Sequence, residues 1–377
     1  MKVLVTVTFK PNQLRSHLLP ILALPELDEV VLLADEPVDG LAKVRNVQPS
    51  SSLVKLLGRA GAKTVACTRL ARQLRPAWIL SYHLVPHGIN ASIAARLSGS
   101  RSMYHMIGGP EEWEGGGWQS DQRLLGRLPR PAPPLERMLL SAARRSTLVG
   151  TMGEHGRRRL LERGFAPDRV VVTPPSIDTE RFSPPPHDAA RPYDLVVVAD
   201  LIPRKRLHDL LAAVAALGRS RPGLRAAIVG DGPLRTKLEH EAARLGIEEV
   251  VDFLRRRDDV EDVYRAARVF VLTSAQEGLS VALAEAMACG LPAVVTDVGE
   301  LRELVHDGWN GHVVSVGDVE ALTSRIGGLL DDPLRHQAAS LAAREIVVER
   351  LSVAALSRLY RQLLVTDLPM DPGARVA

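Results

Sequence analysis

The sequence predicts an α/β protein built from two doubly wound parallel sheets. Three observations carry that expectation. Short β-branched runs alternate with longer amphipathic stretches, as in a parallel sheet covered on both faces. A proline-rich break, Pro184-Pro185-Pro186, interrupts the alternation near the middle of the chain, after which it restarts. A chain of 377 residues is too long for one comfortable core and suits two domains.

In the first half, strands are expected at residues 2–8, 29–33, 77–82, 101–106, 147–149 and 169–173, with helices at 52–74, 88–98, 135–145 and 153–163. After the break, strands are expected at 193–199, 226–229, 250–254, 268–272 and 293–296. Helices fall at 207–217, 234–245, 259–267 and 280–288, and a helical tail covers 333–364. The domains read as 1–182, a linker at 183–192, 193–350, and a last helix at 351–366 packing back on the first domain. Two such sheets would set the carboxyl ends of their strands around a shared cleft, where open α/β sheets bind ligands.

Composition excludes several classes. Apolar residues make up 46% and charged residues 24%, as in an ordinary soluble globular protein. Cys67 and Cys289 stand alone, so a disulfide framework is not expected and a reducing cytoplasm fits. Residues 2–8 read as a first strand rather than a signal peptide, and no apolar run is long enough for a membrane helix. Residues 1–180 carry 24 Lys and Arg against 16 acidic residues, and within them the stretch from Arg123 to Arg169 holds 11 basic residues against 4 acidic ones. Such a region is either a basic face for an anionic membrane surface or acidic acceptor, or a solvated arginine-rich surface. It lacks interleaved aromatics and matches no nucleic-acid reader.

The most informative stretch is 272–290, LTSAQEGLSVALAEAMACG. Glu277 sits in a polar loop after an apolar strand, and Glu285 lies eight residues on, within a helix. Gly278 lets the chain turn, and Ser280 is a suitable N-cap, so the first helical amides would face whatever the loop faces. That suits a phosphate flanked by carboxylates able to grip hydroxyls. Lys205, just after the strand at 193–199, places an ammonium where it can meet a diphosphate. Gly230-Asp231-Gly232-Pro233 lacks the third glycine of a dinucleotide fingerprint, and Pro233 fits a first helical position.

These residues resemble the retaining glycosyltransferases of family 4, most strongly over 193–314. The resemblance rests on Glu277 and Glu285 with their flanks, including Ala286-Met287-Ala288-Cys289-Gly290-Leu291-Pro292, and on Lys205. It implies the GT-B fold of two Rossmann-like domains facing a central cleft. It also implies that Glu277 contacts the transferred sugar, Glu285 holds the ribose, and Lys205 meets the leaving diphosphate. Gly278, Leu279 and Ser280 would offer backbone at the diphosphate, and Gly230 would line the nucleotide pocket. His105, at the end of the strand 101–106, would face the reacting sugar. The glycine-rich loop Gly108 to Trp118, with Trp113, suits a lid or sugar-stacking surface.

The chain also departs from the family pattern. Ala199-Asp200 replaces an expected Gly-Arg, leaving Arg204 or Arg206 to stand in for the missing cation; Arg255 stands where glycine is common. Lys10 or Asn12 would have to replace a Gly-Gly pair in the first loop. No Asp-x-Asp or His/Cys metal pattern occurs.

The resemblance therefore implies a metal-independent hexosyltransferase without a cofactor. Its donor would be a UDP- or GDP-type nucleotide sugar and its acceptor a lipid-linked or saccharide hydroxyl, in cell-surface polysaccharide or glycolipid synthesis. A cytoplasmic or peripheral membrane location follows. A nucleotide-sugar-binding subunit without catalysis, and a nucleotide-sugar epimerase, remain as rivals.

Overall fold

A computed structural model describes residues 1–8, 11–117, 125–186 and 189–366. Lys10, Trp118, the side chain of Asn12 and the tail after Asp367 lie outside the described residues. The chain divides into two compact units, Met1–Ser176 with the chain from Val353 on, and Ile177–Ser352.

The first unit runs β1 (Lys2–Thr6), α1 (Pro11–Leu22), β2 (Glu29–Leu33), β3 (Val44–Val47), α2 (Ser51–Leu74), β4 (Trp78–Tyr82) and α3 (Ile89–Ser98). It continues through β5 (Arg101–Met106), α4 (Pro133–Ala143), β6 (Leu148–Thr151), α5 (Glu154–Glu162) and β7 (Val170–Val172). The strands form one sheet, ordered β3-β2-β1-β4-β5-β6-β7, in which every pairing is parallel. Its central strands are apolar on both faces because both are covered. Val3, Val5, Val30, Leu32 and Leu80 pack with Leu14, Leu18 and Ile21 of α1. The alternate residues Leu4, Val31, Leu33 and Ile79 pack with Cys67 and Ala71 of α2 and with Ala91, Ala94 and Ala95 of α3.

The second unit holds β8 (Tyr193–Val198), α6 (Leu207–Gly218), β9 (Ala226–Val229), α7 (Arg235–Arg244), β10 (Val251–Leu254), α8 (Val260–Arg265) and β11 (Ala267–Leu272). Then come α9 (Val281–Ala288), β12 (Ala293–Thr296), β13 (Gly311–Val314), α10 (Val319–Asp331) and α11 (Pro333–Leu351). Its parallel sheet is ordered β10-β9-β8-β11-β12-β13. In this order β8 and β11 are neighbours, so the loops that follow them leave the sheet side by side.

The last helix, α12 (Val353–Leu364), belongs to the first unit. Tyr360 and Leu363 join its core, and Trp78 Nε1 donates to the Leu364 carbonyl at 3.0 Å. The first unit ends at Ser176 rather than at 182. The cause is that the Ile177 N–H donates to Leu351 O, while Arg344 of α11 donates to the carbonyls of Thr179 and Phe182. These bonds tie 177–182 to the second unit. Helices α1 and α10 and strands β3 and β13 have no counterpart among the expected elements.

Tyr360 is fully buried, and its hydroxyl lies 3.0 Å from His105 Nε2. Tyr360→Ala should destabilise the first unit by about 3–5 kcal/mol, as for other buried aromatics, whereas Tyr360→Phe should cost only about 1 kcal/mol, the worth of one hydrogen bond. Urea unfolding of both variants checks the ratio.

Candidate active site

The loops after β8 and β11 are laced together by backbone and side chain. Thr273 Oγ1 donates to Lys205 O at 2.9 Å, and the Ala275 N–H donates to Arg204 O at 2.7 Å. Lys205 ends a 3-10 turn, Pro203–Lys205, and is buried. This lacing brings the Lys205 ammonium onto Glu277 Oε1, which also accepts from Ser274 Oγ at 2.6 Å. The two side chains are only 11% and 8% exposed. A cation and a carboxylate are thus held at the carboxyl edge of the sheet, the edge that binds ligands in open α/β folds.

Glu277 leads into α9, whose N-cap is Ser280. Its hydroxyl accepts from the Leu283 N–H at 3.3 Å. The preceding amides of the first turn have no acceptor within the helix, so this end carries partial positive charge. Leu279 is buried and anchors the turn. Gly278, expected to provide a tight turn, has no left-handed φ. The conformational demand falls instead on Gly299, at φ +55°, where a Cβ would lie 1.9 Å from Glu277 O. The loop after β12 therefore fits against Glu277 only because residue 299 lacks a side chain.

Gly230 has φ +144°, and a Cβ there would meet Ala199 O at 1.9 Å. The Gly230–Pro233 turn is pressed onto the segment after β8, with Leu201 N donating to Asp231 O at 3.0 Å. Gly230 thereby shapes the loop that carries Lys205. Asp200, standing where a cation was expected, pairs with Arg256 at 2.6 Å, and Arg255 reaches Asp231 at 3.4 Å. Arg206, one of the two residues expected to stand in for the missing cation, pairs through its guanidinium with Asp209 at 2.7 and 3.1 Å.

Glu285 accepts from Tyr264 Oη at 3.3 Å. Burial pushes its carboxyl up to about 7, against the hydrogen bond from Tyr264 and the positive charge of Arg181. It is thus a carboxyl near its midpoint at neutral pH, able to accept or donate a hydrogen bond.

In the first unit, the expected role of His105 does not match its surroundings. The ring is 1% exposed and stacks on Tyr82 at 4.6 Å. Its nitrogens meet Ser81 O at 3.3 Å and Tyr360 Oη at 3.0 Å. Burial lowers its pKa to about 4, so it is a neutral packing residue. The glycine-rich loop is likewise not a lid over its described length, 108–117. Trp113 is fully buried under the Arg163 guanidinium, and Glu112, 1% exposed, accepts from the N–H groups of Gly108 and Leu84 and from Tyr104 Oη.

The fourth partner of Glu112 is His83 Nδ1, at 3.0 Å. His83 was missed in the sequence. It follows β4 at the carboxyl edge, has a left-handed φ of +65°, and keeps its side chain 26% exposed. A non-glycine residue in that region marks strain imposed by its surroundings. No local sequence pattern signals it, because its partner lies 29 residues away.

Comparison with known proteins bears on this geometry. Residues 178–346 match the family described as Glycosyl transferases group 1. A GDP-mannose-dependent alpha-(1-6)-phosphatidylinositol monomannoside mannosyltransferase of Mycolicibacterium smegmatis is 35% identical over 199 residues, 48% of this chain and 52% of that protein. A D-inositol 3-phosphate glycosyltransferase of Streptomyces scabiei is 32% identical over 257 residues, covering 62% and 57%. The chain spans about half the length of the curated relatives it matches. Among solved structures, Anabaena HepE in complex with UDP superposes with a TM-score of 0.77 at 22% identity, covering 97% of this chain and 99% of that one. By sequence, residues 178–346 match the group 1 glycosyltransferases, and by structure the chain has the two Rossmann-like units of the GT-B fold.

Proposed function

We propose that the chain transfers a hexosyl group from a nucleotide diphosphate sugar to a hydroxyl acceptor, with retention at the anomeric carbon. The observation that carries this reading is the Lys205–Glu277 pair, set beside the capped N-terminus of α9 inside the segment that matches the group 1 glycosyltransferases. An arriving diphosphate takes the Lys205 ammonium and the amides of Leu279, Ser280 and the first turn of α9. Charge developing on the leaving phosphate is then met by groups already in place. Glu277, still held by Ser274, turns its carboxylate to the hydroxyls of the transferred sugar. Glu285 holds the ribose. The departing phosphate assists attack on the same face of the sugar, so no separate base is needed.

UDP and GDP are the nucleotides to test, from the UDP bound to HepE and the GDP-mannose dependence of the mycobacterial relative. The acceptor is a lipid-linked or saccharide hydroxyl, in line with the phosphatidylinositol mannoside and inositol phosphate named for the relatives.

Glu277→Gln keeps the size of the side chain and the bond from Ser274. It should lower kcat by about 100-fold or more, the loss seen when a transition-state contact is removed. Because it leaves the buried Lys205 ammonium without its carboxylate, it should also cost up to about 3–5 kcal/mol in urea unfolding, so turnover is measured on protein that circular dichroism shows to be folded. Normal turnover in this variant overturns the assignment. Wild-type protein that binds nucleotide without turnover points to a binding subunit, and an epimerised donor formed without acceptor points to the epimerase.

Glu285 gives a pH test. Below its ordinary value of 4.5 the carboxyl is protonated in folded and unfolded chains alike; between there and about 7 only the unfolded chain ionises, so stability is lost as pH rises and then levels off. Glu285→Gln removes that loss. The variant should exceed wild type by about 3 kcal/mol at pH 8 and by under about 1 kcal/mol at pH 5. A gap independent of pH in urea titrations contradicts the raised pKa.

A further inference from the structure

We propose that the outer face of α2 and α3 is a docking surface for an anionic phospholipid bilayer. The sequence supplies the first ground. Between Asp39 and Glu111 there is no acidic residue, while ten Lys and Arg occur. The structure exposes the cations on one pair of helices: Lys55, Arg59, Arg69 and Arg72 on α2 and Arg96 on α3 are all exposed, and none has an acidic partner among the described residues. The basic region 123–169 is different. Arg157, Arg159 and Arg163 are paired with Glu154, Glu114 and Glu136, and Arg144 and Arg169 donate to backbone carbonyls.

The second ground is apolar. Leu56 is 78% and Leu57 47% exposed, and Val65, Ile93 and Leu97 are also exposed on the same two helices. Gly58, at φ +68°, breaks α2, so the Ser50-capped turn carrying Leu56 and Leu57 stands apart from the remainder of the helix. A bond from Thr64 Oγ1 to Asn90 Oδ1 at 2.9 Å holds α2 and α3 side by side, and a surface groove of about 740 Å³ runs along Thr64, Val65, Thr68, Arg69, Arg72 and Gln73. Cations interspersed with large exposed aliphatics suit the headgroup and acyl boundary of a bilayer. No aromatic platform for bases is present on this face, and a second copy docked face to face would set these unpaired cations against their equivalents. No helix among the described residues is long and apolar enough to cross a membrane, so such contact would be peripheral. The proposal rests on the transferase reading only in supposing a lipid-linked acceptor in that bilayer.

Co-sedimentation with vesicles tests it. Wild type should pellet with vesicles of equal phosphatidylglycerol and phosphatidylcholine at low salt, and not with phosphatidylcholine alone. Leu56→Ser with Leu57→Ser, and separately Arg69→Gln with Arg72→Gln, should each weaken binding by roughly tenfold or more. Arg219→Gln with Arg244→Gln, the same charge change in the second unit, should bind as wild type. Absent binding by wild type, or equal binding by all variants, overturns the proposal. So does a dimer seen by light scattering that the α2 variants dissociate. Thermal shift with UDP and GDP on the same proteins keeps the two readings apart: lost nucleotide response with vesicle binding intact counts against the transferase alone.

Discussion

The second unit is organised around one ion pair, Lys205 with Glu277. Two charges buried that far cost several kcal/mol each to desolvate, and their attraction offsets the cost only with good geometry and further hydrogen bonds. Ser274 supplies one such bond, and the lacing of Thr273 and Ala275 onto the 203–206 segment supplies the geometry. A buried pair is weak evidence of a stabilising design. Its position suits a site in which each partner exchanges the other for a ligand, the ammonium for a phosphate and the carboxylate for hydroxyls. Because the two are neutral together, the site stores no uncompensated charge before the donor arrives.

The close approach of backbones explains why glycines sit where they do. Gly299 and Gly230 each lie where a Cβ would meet a carbonyl oxygen at 1.9 Å, one on Glu277 and the other on Ala199. Both loops are thereby pressed against the segments that carry the ion pair. Gly278, beside Glu277 in sequence, has no such demand, so adjacency in sequence was a poor guide to which glycine the site needs.

Much of the second unit could be read from sequence because its signals are local. Strands β9 and β12 and the cap of α9 follow from β-branched runs and from a serine just before an apolar helix. What escaped reading was non-local or atypical. Strand β3, VRNV, is a partly exposed edge strand, and α1 carries Pro20 inside it, which masks a helical pattern. In the first unit, composition misled. Glycines around Trp113 suggested a mobile loop, yet Gly115, Gly116 and Gly117 take left-handed φ, while the same loop buries Trp113 and Glu112. His105 lies near the end of its strand, but its burial by Tyr82 and Tyr360 depends on α12, more than 250 residues further on.

Asp200 sharpens the electrostatics of the candidate site. Its pair with Arg256 is largely exposed on both sides, 55% and 60%, and such a pair contributes only about 0–1 kcal/mol. The aspartate is therefore neutralised locally without being locked in place, and Arg206 is committed to Asp209. Lys205 stays tied to the segment before the helix end through its bond to Glu277, and an anion bound there would share its charge between that ammonium and the amides of α9. Helix-end charge is partial, about half an elementary charge, and acts only over the first turn. Placement of the anion consequently depends on the segment from Glu277 to Ser280, whose path is set by Gly299 from below and by the Ser280 cap ahead of it.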